Sequence, residues 1–266
     1  MPEGHTIHRL ARDHHRWFGD TTVSVDSPQG RFLDGAERLN GRRFIRATAH
    51  GKHLFYEFET EGRSGLWVHI HLGLFGRFRN RKKPWPEPTP NTRMRLMNSA
   101  RCVDLSGPTR CELLDHSGQA DVVRRLGPDP LRSDCTADQL IASLARRRSA
   151  IGAVLLDQRA VAGIGNVYRS ELLFVHRLDP LTPVNEIHMD TLAALWETAV
   201  EWLQIGVRTN RIITRYEDAS VRSMPRRERL WVYKRRDCLV CGGTIEVSTL
   251  RQRTLYSCPR CQTVRQ

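Results

Sequence analysis

The chain has 266 residues, 39% of them apolar, and carries 42 Lys and Arg against 29 Asp and Glu, for a formal net charge of +13. That length suffices for one large domain or two ordinary ones, each with its own core, and the charge suits a partner rich in phosphate, although a solvated basic surface has the same composition. No apolar run approaches the roughly 18 residues of a membrane-spanning helix, and no charged-then-apolar leader opens the chain, so a membrane partner is not expected.

From Thr6 to Phe18, Ile7, Leu10, Ala11, Trp17 and Phe18 keep helical spacing, with His14 completing the stripe, which predicts an amphipathic helix. Short β-branched or aromatic runs follow at Val23 to Val25 and from Arg42, His53, Leu66 and Arg93, separated by Gly, Pro and Asp. Their alternation predicts a sandwich or barrel with one buried face per sheet. Arg79 to Asn91 holds four prolines and reads as a long exposed loop. Beyond LGPDPLRSD (Leu126 to Asp134) the β signals give way to helical segments at Thr136 to Arg147, Ala150 to Gln158, Asn166 to Phe174 and Glu186 to Gly206. Arg208 to Arg229 is basic and poorly periodic, as a mobile loop would be. His69 and His71 share a strand face without an evident third ligand, which favours packing or hydrogen bonding over metal binding.

Of seven cysteines, Cys102, Cys111 and Cys135 are scattered, while Cys238, Cys241, Cys258 and Cys261 form two C-x-x-C pairs with sixteen residues between them. Two such turns converge four thiolates on one tetrahedral ion, so the spacing predicts a single structural zinc and a reducing, cytoplasmic setting. TIEVSTL and QRTLYS, between the pairs, predict a hairpin. Arg251, Arg253 and Arg260 on or beside it suit phosphate contact.

The chain opens MPEG. Removal of Met1 would leave Pro2 as a secondary amine, partly neutral near pH ~8, able to attack an aldehyde-like carbon and form an iminium ion. Glu3 beside it could donate a proton. Taken by themselves, the two residues read as an ordinary helix start.

MPEG, HGKHL (His50 to Leu54), HLGLFG (His71 to Gly76), RLGPDPL (Arg125 to Leu131), DQRAVAGIGNVYRSELL (Asp157 to Leu173) and QRTLYSCPRC (Gln252 to Cys261) resemble, in order and from first residue to last, the motifs of formamidopyrimidine-DNA glycosylase and endonuclease VIII. The resemblance implies an α+β multidomain fold: an N-terminal β-sandwich with its leading helix, a helical helix-two-turns-helix domain and a C-terminal zinc-finger β-hairpin. The expected domains are 1–125, 126–229 and 230–266. It also implies a bifunctional enzyme that removes a damaged base and then cuts the strand.

By that resemblance Pro2 forms the Schiff base, Glu3 is the proton donor, Lys52 lies near the phosphates and reacting sugar, and Arg253 holds phosphates around the lesion and assists the second elimination. Arg125 matches a DNA-contacting arginine. Asn166 follows GIG, where glycines allow close approach and a helix N-terminus favours a phosphate; an ordinary N-cap is the alternative. Leu74 and Phe75, between Gly73 and Gly76, are the expected apolar wedge that fills the gap left by an extruded nucleotide, strand packing being the alternative.

His5 and Thr6 depart from the family's opening and Gly73 from the glutamine of endonuclease VIII. PEG is closer to the endonuclease VIII branch, whereas HLGL resembles the other. The expected function is excision of oxidised bases, pyrimidines favoured, from duplex DNA by a monomer, followed by β,δ-elimination. The rival is a zinc-ribbon protein that binds damaged DNA without catalysis.

Overall fold

A computed structural model describes residues 2–60, 65–145, 147–216, 224–225 and 228–263. It divides into two compact units, Met1–Pro2 with Ile7–Arg125, and Glu3–Thr6 with Leu126–Gln266.

The first unit takes in most of helix α1 (Gly4–Phe18), then β1 (Thr21–Thr22), β2 (Ser24–Asp26), α2 (Leu33–Leu39), β3 (Arg43–His50), β4 (His53–Phe58), β5 (Leu66–His71), β6 (Arg77–Asn80), β7 (Thr92–Met97), β8 (Cys102–Ser106), β9 (Arg110–Leu114) and α3 (His116–Arg124). The strands form a five-stranded sheet in the order β1-β3-β4-β5-β9 and a four-stranded sheet in the order β2-β7-β8-β6. One core joins Phe44, Leu54, Tyr56, Val68 and Ile70 of the first sheet to Val25, Met94, Leu96, Val103 and Leu105 of the second, with Ile7, Ala11 and Phe18 of α1 packed into it. This is the expected sandwich with its leading helix.

The predicted loop starts later than its prolines suggested. Arg79 and Asn80 belong to edge strand β6, opposite Asp104 and Val103. The buried carboxylate of Asp104 accepts from Arg81 and Arg95, each at 2.6 Å, a charge-assisted pair that fixes this edge.

The second unit contains α4 (Ala137–Leu144), α5 (Ile151–Val154), α6 (Asn166–Val175), α7 (Met189–Thr209) and the hairpin β10 (Glu246–Leu250) and β11 (Arg253–Ser257). Thr136 caps α4 through a reciprocal box with Gln139, and α7 ends at Asn210 in the left-handed region. The segment expected to be helical from Ala150 to Gln158 is a single turn. The helix expected from Glu186 starts at Met189, because Ile187 is extended and His188 caps it. Leu140, Leu144, Ile164, Leu172, Leu195 and Trp202 are among its buried core. Of the basic stretch Arg208 to Arg229, residues 217–223 and 226–227 lie outside the described residues, as does Met1. Among the described residues no helix is long and apolar enough to cross a membrane.

Candidate active site

Glu3 is fully buried in the second unit. One carboxylate oxygen accepts from the Gly165 amide and the other from the Val167 amide, both at 2.9 Å. These donors open helix α6, whose N-terminal amides and dipole favour an anion. The glycines of GIG make the approach possible. A Cβ on Gly165 would lie 2.4 Å from Glu3 Cδ, and one on Gly4 would lie 2.8 Å from Gly163 Cα. The sequence assigned this helix terminus to a phosphate, whereas the Gly165 and Val167 amides hold the protein's own carboxylate.

Gly165, not Asn166, occupies the N-cap. The buried Asn166 instead donates its side-chain amide to the Thr254 carbonyl (2.8 Å) and accepts from Arg169 (2.6 Å). Arg169, buried in full, also donates to the carbonyls of Thr254 and Gly152. Burial lowers its pKa to about 10, with Glu3 opposing the shift. Together these side chains grip the hairpin end whose turn residues, Arg251 and Gln252, take φ of 53° and 57°. Arg253 begins β11 directly after that turn and is exposed.

Glu171, also buried, accepts from three successive backbone amides, Trp231 (2.7 Å), Val232 (2.9 Å) and Tyr233 (2.8 Å), and from the Thr214 hydroxyl. Burial raises its pKa and these hydrogen bonds oppose the rise. The clamp therefore binds the start of the segment that leads into the cysteine module. His5 packs edge-on to Tyr168 at 5.5 Å, and burial brings its pKa down to about 4.

The Sγ atoms of Cys238, Cys241, Cys258 and Cys261 all lie within 4.8 Å of one another, with distances of 3.8 Å for Cys238–Cys261 and 3.5 Å for Cys241–Cys258. A tetrahedral ion with metal–sulfur bonds of about 2.3 Å places its sulfurs about 3.8 Å apart, so the four residues fit a metal ion.

In the first unit Pro2 is half-buried. Lys52 sits in the two-residue turn that joins β3 to β4, preceded by Gly51 at φ 56°. Strand β5 ends at His71, and the loop beyond it leaves Leu74 at 44% and Phe75 at 84% exposure. Gly73 has φ 63°, and a Cβ on Gly76 would lie 2.3 Å from the Leu72 carbonyl oxygen, so the tip needs both glycines. The two apolar side chains thus lie outside the strand. Arg125 caps α3, is exposed, and donates to the Asp121 carbonyl at 3.0 Å.

Residue identity alone singles out neither Arg169 nor Thr214, and it does not place Glu171. The missing information is backbone: most of the groups these side chains bind are carbonyls and amides, which leave no mark on residue identity.

Residues 1–111 match the formamidopyrimidine-DNA glycosylase N-terminal domain and residues 126–218 the formamidopyrimidine-DNA glycosylase H2TH domain. The chain is 46% identical to "Endonuclease 8 1" of Mycobacterium tuberculosis, covering 99% of this chain and all of that protein. It is 34% identical to "Probable endonuclease 8 2" of Streptomyces coelicolor, over 98% of this chain and 94% of the relative. In fold it is similar to the Lactococcus lactis Fpg (MutM), solved with DNA containing N7-benzyl-Fapy-dG, at a TM-score of 0.80 and 20% identity over 99% of this chain and all of the other.

Proposed function

The chain belongs to the formamidopyrimidine-DNA glycosylase and endonuclease VIII family of base-excision-repair glycosylases with abasic-site lyase activity, and from that premise we propose that it excises oxidised bases, pyrimidines in preference, through a Schiff base on Pro2. The observation that carries this reading is the placement of Glu3. An acid that merely began its own helix would sit in that helix's first turn; here it is buried against the start of α6, held at both oxygens, beside the amine it would serve.

In this reading the Pro2 nitrogen bonds to C1′ as the glycosidic bond breaks, and the amine proton passes to the departing base. Glu3 protonates the ring oxygen as C1′–O4′ opens, so the nitrogen lone pair completes the iminium. Loss of a C2′ proton then expels the 3′ phosphate, and a second elimination expels the 5′ phosphate. Lys52 and Arg253 stabilise the phosphate charge that develops at these steps. Arg125 adds a backbone contact, and Asn166 contributes by fixing the hairpin that carries Arg253. Leu74 and Phe75 fill the gap left in the duplex, since extrusion costs a few kcal/mol that an inserted apolar group offsets. Cys238, Cys241, Cys258 and Cys261 would hold a zinc ion, which would keep the hairpin rigid. The protein acts as a monomer on damaged duplex DNA in the cytoplasm.

The deciding experiment is borohydride trapping on duplex DNA with one abasic site. Wild type should give a covalent band that Pro2→Gly loses, and intact mass should show Met1 removed. No band from a correctly processed, zinc-loaded chain would leave a protein that binds damaged DNA without cutting it.

A further inference from the structure

Lys52 is framed by histidines. Its turn is closed by the pair His50–His53, His53 lies opposite His71 on β5, and His69 and Glu112 continue the same sheet face onto β9. His53 Nδ1 is 2.8 Å from His69 Nε2, and His69 Nδ1 is 2.8 Å from Glu112 Oε1. The two rings are tilted by only 14° with centroids 5.0 Å apart, an arrangement that suits an edge-to-edge N–H···N bond.

The direction of this chain follows from what each group can donate. A carboxylate only accepts, so His69 donates from Nδ1; a neutral His69 then accepts at Nε2, so His53 also donates from Nδ1 and keeps a lone pair on Nε2. Both rings remain neutral because they are sheltered from water and face cations. Burial, with His69, His71, His50 and Arg110 adding to it, brings His53 down to about 3. His69 is lowered by burial, Arg110 and Arg125 despite Glu112, and burial, His69, Lys52 and Arg110 bring His71 to about 4.

We propose that Glu112 and His69 are positioning residues for Lys52: the chain Glu112–His69–His53 fixes one tautomer of His53 and so holds the Gly51–Lys52 turn in place. This rests on the reading that Lys52 works at the phosphates and reacting sugar. Glu112, with its side chain 39% exposed and Arg110 Nη1 also 3.5 Å from its Oε1, acts through the orientation of the next ring.

The test uses the full zinc-loaded chain as wild type, Glu112→Leu and Glu112→Gln, with three readouts. Nitrogen-15 spectra of the histidine rings report tautomers, amide exchange reports the Gly51–Lys52 turn, and borohydride trapping reports the reaction. Wild type should show both His69 and His53 protonated at Nδ1. Glu112→Leu should lose that signature, exchange faster at the turn and trap about tenfold more slowly, with no further loss in a Lys52→Ala background. Glu112→Gln, whose carbonyl oxygen still accepts from His69, should retain tautomers and rate.

Nε2-protonated His69 in wild type, or an unchanged turn in Glu112→Leu, would overturn the proposal. So would altered tautomers with an unaltered trapping rate. If wild type traps nothing while Glu112→Leu still loses the tautomer and loosens the turn, the glycosylase reading fails and the hold on the turn is upheld.

Discussion

Glu3 accepts from amides 162 and 164 residues further along the chain, and Gly165 leaves the space it occupies. Gly165→Ala brings a methyl group to 2.4 Å from the Glu3 carboxyl carbon, so the Glu3 side chain itself must move out of its place. The expected outcome is a retained melting transition with trapping reduced about 100-fold, the scale on which a displaced catalytic group is felt. His14 supports a second prediction. It is fully buried, with Nδ1 2.6 Å from the Tyr56 hydroxyl. Burial pushes the Tyr56 pKa up, so the phenol keeps its proton and donates it, while burial brings His14 down to about 4. The unfolded chain binds this proton near pH ~6.5 and the folded chain only near 4, so His14 costs nothing above pH ~6.5 and stability is lost as pH falls through that window. In His14→Gln, unfolding near pH ~5 should take up about one proton fewer, read from the slope of unfolding free energy against pH. At this scale residue type was legible and partners were not. The sequence marked His14 as part of a helix stripe, but nothing in it pointed to Tyr56.

Elements read well where burial alternates or where β-branched and aromatic residues stand densely, as in β5, itself buried at four successive positions, and poorly elsewhere. Strand β3 shows enough alternation to be predicted, whereas β8 is buried at four successive positions and β6 is almost wholly exposed, so neither has the period of two that marks a half-buried strand. Helix α2 has a glycine at its third position and no side-chain cap, which removes the usual start signal. The β5–β6 loop was legible because its glycines and apolar tip stand together. Because Phe75 is 84% exposed, Leu74→Ala with Phe75→Ala should leave stability within about 0.5 kcal/mol of wild type, while excision from duplex DNA falls about tenfold as the wedge is lost. The cysteine module was legible from spacing alone. Its grip by Asn166 and Arg169 was not, since Thr254 and Leu250 take part through their carbonyls.

For the whole molecule, the net charge of +13 becomes a prediction about salt. With about five phosphate contacts, the logarithm of DNA affinity should fall against that of salt concentration with a slope of about −4 to −5, and Arg253→Ala should make it shallower by about 1. Chelation should abolish trapping in step with release of about one zinc ion, and zinc should restore it, because an ion held by four cysteines would support folding of the hairpin. The division of the chain carries a different consequence. The second unit is not a continuous piece of polypeptide: Glu3–Thr6 belong with Leu126–Gln266. A fragment begun at Leu126 would lack the carboxylate that the Gly165 and Val167 amides bind, and would start α6 with buried donors unsatisfied. On the ribosome the same residues emerge first and find their place only after more than half of the chain has followed, a contact of high sequence separation that delays completion of this unit. Dissection at the apparent boundary should therefore yield a C-terminal half that is poorly folded alone and gains order when a peptide spanning residues 2–18 is supplied in trans.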